Sequence, residues 1–454
     1  MNTSRNLVCL ALGFLLMEGC GSDAGEPVAD LVIRNVTLLS PRDGSVQHDR
    51  SVFISGERIV DIRRSTDGAP PSAARVVEAT GRFLMPGMWD LHTHFSFADP
   101  SAGPLLVTQG VTGARDMGSV LDEVEAARRR FDRGEALGPR ILRAGPTLNG
   151  GVFGDHHRLI GDPDAARAAV ALLDSIGVDV IKTHNETGRE TYFALLEAAE
   201  AAGLQVVGHV PVTVSPLEAC ERGQGSIDHI VTIFEGVYGA GFDSQIEAFR
   251  GMEPWLETEA PALVECFSRQ GTLFVPTLYT YHFRAHRAEL YETPPDGWDY
   301  LSASGRLAYR EELVPSESDR DPDVIRLRVG LVEIGKALTR IAYEAGARIG
   351  TGTDFAGPGL VPGFSLRREV ELLAEAGLPL HAALWAATSG PGVEQGADPL
   401  TGDIGVGAPA DLVLLEANPF EDLGALSEIV GVGLRGRWLD RAELDRVLEG
   451  LAAN

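Results

Sequence analysis

The chain has 454 residues, enough for a large barrel domain with a smaller attached module. Its formal net charge of −26 is spread along the sequence, which argues against nucleic acid as a partner, because phosphate binding needs basic patches. Its four cysteines are too few and too scattered for a disulfide framework. Cys220 and Cys266 fall in helix-like segments and are expected to be buried thiols rather than a bridge.

Residues 1–20 read as an export signal. Arg5 supplies a positive start and residues 7–17 an apolar stretch too short for an ordinary transmembrane helix. The stretch Leu16-Met17-Glu18-Gly19-Cys20 resembles a bacterial lipoprotein cleavage box, from which Glu18 departs. A lipid on Cys20 would make acyl chains the only membrane attachment, with residues 21–27 as tether; simple secretion is the alternative. Residues 28–82 alternate as short strands (32–39, 51–54 and 59–62) around an Asp43-Gly44 turn, and residues 404–446 return to strand character.

Between them, residues 83–403 alternate strands with amphipathic helices, the pattern of a parallel barrel. Eight strands are expected, near 83–91, 110–116, 140–144, 178–182, 205–209, 226–229, 272–277 and 348–354. Helices are expected at 164–176, 189–202 and 366–376, the last capped by Ser365 and followed by Gly377. In such a barrel the chemistry belongs at the C-terminal strand ends. The long segment 279–336 is expected to be a lid or an oligomer contact, leaving a homo-oligomer open.

Chemistry-bearing residues cluster at those strand ends. Lys and Arg together number 39, and only Lys182 and Lys336 are lysines. Lys182 closes the apolar run Val178-Asp179-Val180-Ile181, as a buried parallel strand ends. A lysine there either pairs with a carboxylate or does what only an amine can. Neutralised by burial, it can combine with CO2 to a carbamate that bridges two metals, whereas arginine stays charged. His92 and His94 flank Thr93, so strand alternation puts both imidazoles on one side. His209, His229 and Asp354 each stand where an apolar segment meets a loop.

In order and spacing these motifs resemble the amidohydrolase superfamily, from about residue 31 to 438. The residues that carry the likeness are Pro86-Gly87 with His92-Thr93-His94, Gly110-Val111-Thr112, Lys182, Gly208-His209-Val210-Pro211, Ser226-Ile227-Asp228-His229, Gly352-Thr353-Asp354 and the closing Gly402-Asp403-Ile404-Gly405. Within the superfamily the chain looks most like the imidazolonepropionase- and prolidase-related branch. The resemblance implies an α/β fold: a (β/α)8 TIM-type barrel with a small β-sandwich made by both terminal segments. It also implies two divalent metal ions. His92, His94 and Asp354 would hold one, His209 and His229 the other, and carboxylated Lys182 would bridge them. Imidazole and carboxylate ligands suit Zn2+, and iron, manganese or cobalt would also fit. Asp354 would accept the water proton and pass it to the leaving nitrogen.

His156 and His157, in the loop after the third strand, are candidates to orient a substrate carbonyl or carboxylate. Tyr238 and Tyr279 are candidates to bind a substrate carboxylate, and His184 a candidate to reach the pocket. Asp116 is expected to be a structural partner of Arg115 or of nearby backbone, and His48, His286 and His381 to be structural or surface residues. The expected activity is metal-dependent hydrolysis of an amide or peptide bond in a small molecule, such as a dipeptide ending in proline or an N-acyl amino acid. The alternatives are cyclic amide or lactone hydrolysis or deamination on the same site, and a lipoprotein that binds a ligand without catalysis. Lys182 speaks against a mononuclear deaminase, and the complete ligand set against a dead site.

Overall fold

A computed structural model of the chain describes residues 29–67, 73–238, 246–357, 359–389 and 398–453. Strands from both ends of the chain share one mixed sheet. Its order is Arg437–Asp440, Ile429–Leu434, Leu412–Leu415, Phe83–Pro86, Leu31–Ser40, Ser45–Ser55 and Arg58–Arg64, with Arg75–Glu78 also paired to Leu31–Ser40. The expected joining of the terminal segments is therefore what forms. Strand alternation explains the apolar runs. Leu38, Leu84, Leu412 and Leu414 pack within the terminal module, while Leu39, Met85, Val413 and Leu415 face the barrel core. A strand buried on both faces reads as continuous hydrophobic sequence.

The barrel strands are Met88–Thr93, Val111–Asp116, Arg140–Arg143, Ile181–Thr183, Val206–Gly208, Ser226–Asp228, Leu273–Val275 and Arg348–Ile349. Neighbours along the barrel pair in parallel. The backbone bonds Asp179 N to Arg143 O (2.9 Å) and Asp354 N to His92 O (2.8 Å) link the strands across its two seams. The stretch expected as one strand over 83–91 is two: the first half belongs to the terminal sheet and the second opens the barrel. They part at Gly87, where an added Cβ would lie 2.1 Å from Thr112 Oγ1, so the chain crosses over where only a glycine fits.

Helices cover the strands. Arg189–Ala202 forms as expected, and Pro163–Ile176 starts behind Asp162, whose side chain accepts from Ala165 N. The helix expected from 366 instead spans Phe364–Glu375 behind Gly363, at φ +78°. Ser365 is not its cap; its hydroxyl accepts from Val361 N and ties down the preceding loop. The reading of Cys220 and Cys266 as thiols is also corrected: they form a disulfide between the helices Pro216–Glu221 and Ala260–Gln270. Those helices pack together although the cysteines are 46 residues apart, a proximity that local pattern does not report. The 279–336 segment folds into helices, among them Leu278–Ala285, Ala303–Glu312 and the start of Pro322–Glu344.

Candidate metal centre

The six strand-end candidates meet in one place. The donor atoms of His92, His94 and Asp354 all lie within 4.8 Å of one another. Asp354 Oδ1 is 3.3 Å from His94 Nε2 and 3.6 Å from His92 Nε2. Lys182 Nζ is 3.2 Å from His92 Nε2. The His229 ring stands 4.3 Å from that of His92 and 4.8 Å from that of His209. Backbone geometry turns these side chains inward. His229 and Asp354 have φ of +70° and +62°, a left-handed conformation that costs a non-glycine residue about 1–3 kcal/mol and persists only where its surroundings enforce it. Gly208 makes room for the lysine, since a Cβ there would stand 2.4 Å from Lys182 Cδ.

Each histidine is oriented through its other ring nitrogen. His92 Nδ1 pairs with Asp228 Oδ2 at 2.7 Å, His94 Nδ1 with Gly118 O at 2.8 Å and His229 Nδ1 with Thr277 Oγ1 at 2.7 Å. His209 Nδ1 pairs with Asn185 Oδ1, and Asn185 Nδ2 donates to Glu235 Oε2 at 2.8 Å. This leaves Nε2 of each ring as the available ligand atom, the usual arrangement behind metal-binding imidazoles. Arg115 completes the layer, donating to Asp228 at 2.8 Å and to Leu91 O at 2.7 Å. Asp116 accepts from Phe95 N and Ser119 Oγ, so it has the backbone partner expected of it.

Burial and charge set the protonation. Burial pushes the Lys182 ammonium down to about 8, against the opposing pull of Asp228 and Asp354. Burial likewise takes His92 down to about 4 and His209 and His229 well below the ordinary range, leaving neutral imidazoles fit for ligation. For Asp354 burial acts upward, but the His94 hydrogen bond and the neighbouring His229 and His92 hold its carboxyl well below the usual range. The donor set, the inward Nε2 atoms and the buried amine fit a divalent metal centre.

Above these residues opens a cavity of about 450 Å³. His156 and His157 line it, as expected, and so does His184. A row of rings runs inward: His156 to His157 at 4.3 Å, His157 to His184 at 5.6 Å, and His184 stacked on His209 at 4.2 Å. Tyr279 does not line the cavity. It is buried, with its ring stacked toward His282 and its N–H bound to Glu369, because residues 278–285 are helical and Tyr279 and Tyr281 point to different sides. Tyr281 and Arg284 face the cavity instead, with the guanidinium 5.3 Å from the tyrosine ring centre. Their i, i+3 spacing is the available signal, once the segment is read as a helix. Tyr238 ends the helix Ile230–Tyr238, and its side chain lies outside the described residues, as do Cys9 and Cys20. His48, His286 and His381 stand away from the cavity lining.

Residues 83–439 match the sequence model of the amidohydrolase family. The chain belongs to that family: it is a metal-dependent amidohydrolase acting on carbon–nitrogen bonds, with His92, His94 and Asp354 grouped as a possible metal site. A bottromycin amidohydrolase structure superposes with a TM-score of 0.75 at 24% identity, covering 93% of this chain and 89% of that one. A putative prolidase from Bifidobacterium longum gives 0.67 at 26% identity, covering 93% and 99%. Ochratoxinase from Aspergillus niger is 23% identical over 471 residues, spanning 89% of this chain and 85% of that protein.

Proposed function

We propose that this chain binds two divalent metal ions, joined by a carbamate on Lys182, and hydrolyses an amide or peptide bond in a small substrate that carries a carboxylate. A dipeptide ending in proline and an N-acyl amino acid both fit this description. The observation that carries the reading is the Lys182 amine, buried 3.2 Å from His92 Nε2 and shifted down to about 8. An amine so shifted has a substantial neutral fraction near neutral pH. Its lone pair can form an N–C bond to CO2 with loss of one proton, giving a carbamate anion. His92, His94 and Asp354 would hold one ion and His209 and His229 the other.

Divalent ions held there would act as Lewis acids toward both water and the scissile carbonyl. The chain's own residues do the rest. Asp354, kept ionised across neutral pH, accepts the proton of the attacking water at a carboxylate oxygen and returns it to the leaving nitrogen. Arg284 and Tyr281 supply a cation and a hydroxyl for the substrate carboxylate. His156 and His157 form the facing wall. Similar solved structures include a Xaa-Pro dipeptidase, a putative prolidase and an ochratoxinase, which supports a small amide substrate.

The test is to strip the purified protein of metal and reconstitute it with zinc, with and without bicarbonate. Two zinc ions per chain, bound only when bicarbonate is present, are expected, followed by turnover in a library of dipeptides and N-acyl amino acids. One ion per chain at saturation sinks the binuclear reading. The leader and the Cys220–Cys266 disulfide together support export to an oxidising compartment, with Cys20 as a lipid anchor.

A further inference from the structure

Beside the metal cavity lies a second space of about 340 Å³, the scale of a small-ligand site. It adjoins the centre through the loop that follows Asp354. Phe355, Ala356 and Gly357, which directly follow the ligand Asp354, form one wall, continued by Leu360 and Pro362. Phe97 lines both spaces and so marks their junction. Its ring stands 6.2 Å from that of the ligand His94 and 4.6 Å from that of His156, yet Phe97 is 49% exposed. The outer wall is Leu301 and, in the inserted segment, the helix Ala303–Glu312, through Ala308 and Tyr309.

That helix is fastened in place. Asp99 accepts from Ser101 N and Ser101 Oγ and from Ser302 N and Ser302 Oγ. Gly305 sits so close to Asp99 that a Cβ would meet its carboxylate at 1.9 Å. The inserted segment is thus held over the loop that follows the first barrel strand. The same hydrogen bonds occupy the half-buried Asp99 carboxylate, and the other lining carboxylate, Glu312, is exposed. The remaining walls are aromatic and aliphatic at Phe97, Leu301, Ala308, Phe355, Leu360 and Pro362, with Ser304 and the unpartnered Tyr309 hydroxyl as the polar groups among them.

We propose that this space is the subsite for the acyl half of the substrate, and that the enzyme takes N-acyl amino acids bearing a bulky aryl or alkyl acyl group. The inference rests on the amide-hydrolase reading above. With the substrate carboxylate at Arg284 and Tyr281 in the main cavity, the other side of the scissile carbonyl is left to enter the annex past Phe97. A polar or very small acyl group would leave the annex walls unfilled and gain little from it. An aryl or alkyl chain would remove both the walls and the exposed Phe97 ring from water.

The test compares kcat/KM for the N-acetyl, N-benzoyl and N-octanoyl derivatives of one amino acid, in the wild type, Ala308→Trp and Leu307→Trp. Ala308 and Leu307 are both exposed on the same helix, but only Ala308 lines the annex. The wild type is expected to favour the bulky acyl groups by about tenfold or more, a normal discrimination for an apolar pocket. Ala308→Trp should bring that ratio close to one, and Leu307→Trp should keep it. A ratio unchanged in Ala308→Trp, or lost equally in both variants, overturns the subsite. Octanoate binding to the metal-loaded proteins, measured by calorimetry, separates the two readings. If no amide is cleaved, the amide-hydrolase reading fails, while octanoate binding weakened about tenfold in Ala308→Trp alone still supports the annex. Equal octanoate affinity in wild type and Ala308→Trp refutes it.

Discussion

Lys182 and Lys336 are the same residue type in opposite settings. Lys336 lies toward the surface and pairs with Glu333 at 3.1 Å and Glu375 at 2.7 Å, a role any cation can fill. Lys182 is 2% exposed among the histidines. Replacing each by arginine should therefore separate them: Lys182→Arg is expected to lose nearly all turnover and the bicarbonate-dependent zinc uptake, because a guanidinium forms no carbamate. Lys336→Arg should keep both. Comparable activity in the two variants would make Lys182 an ordinary cation. Asp354 carries a second prediction. Asp354→Asn keeps the size and one oxygen but removes the proton acceptor, so kcat should fall by about 10²–10⁴ with metal partly retained. The rising limb of the pH–rate profile should vanish with it. Normal turnover with full metal would move proton transfer to other residues, and His156 and His157 on the cavity wall are the next candidates.

The helix Leu278–Ala285 presents Tyr281 and Arg284 to the cavity, yet its own cap position, Thr277, makes no side-chain cap bond. Glu369, from the helix Phe364–Glu375, fills that role by accepting from Leu278 N at 3.0 Å and Tyr279 N at 2.7 Å. Glu369→Ala leaves two buried donors without an acceptor, a loss of about 2 kcal/mol. It should also raise KM more than it lowers kcat, because the helix that carries Arg284 is loosened. Burial pushes the Glu369 carboxyl from 4.5 up to about 8, against these two hydrogen bonds. Between those values the unfolded chain has released the proton while the folded chain keeps it. This group's contribution to stability therefore weakens as pH rises from 4.5 to about 8. In chemical denaturation across that range, Glu369→Gln should lose less stability than the wild type; parallel curves would show that Glu369 does not titrate there.

The whole molecule is a barrel braced by a sheet drawn from both ends of the chain. Arg140, at the start of the third barrel strand, joins them through Asp411 at 2.6 Å and Glu57 at 2.6 Å. Among the described residues no helix is long and apolar enough to cross a membrane. We propose that a lipid on Cys20 attaches the protein to the membrane. Cys20→Ala is expected to leave the enzyme active and shift it from the membrane to the soluble fraction. Retention of the variant on membranes after a high-salt wash would count against a lipid anchor. The Cys220–Cys266 disulfide suits the exported setting we propose, since such bonds persist in oxidising compartments.

Much of the site is legible in the sequence, because its residues announce themselves locally. His92 and His94 share a side by strand alternation, Lys182 is conspicuous by type, and His209, His229 and Asp354 each end an apolar run. A barrel converts strand ends into a ring, so finding the ends amounts to finding the site. What stays hidden depends on contacts between distant segments. Asp228 behind His92, Asn185 and Glu235 behind His209, and the disulfide are pairings that no local period encodes. The sequence points to Tyr279 rather than Tyr281 because the direction of a side chain after the seventh strand turns on whether the chain there is loop or helix. The annex needs three separate loops and a helix held by Asp99 and Gly305. Sequence alone determined the chemistry available to this protein, because residue type and strand position are local properties. Only the tertiary structure decided which nitrogen each histidine presents and what shape of substrate the cavity admits, because both arise from packing between residues far apart in the chain.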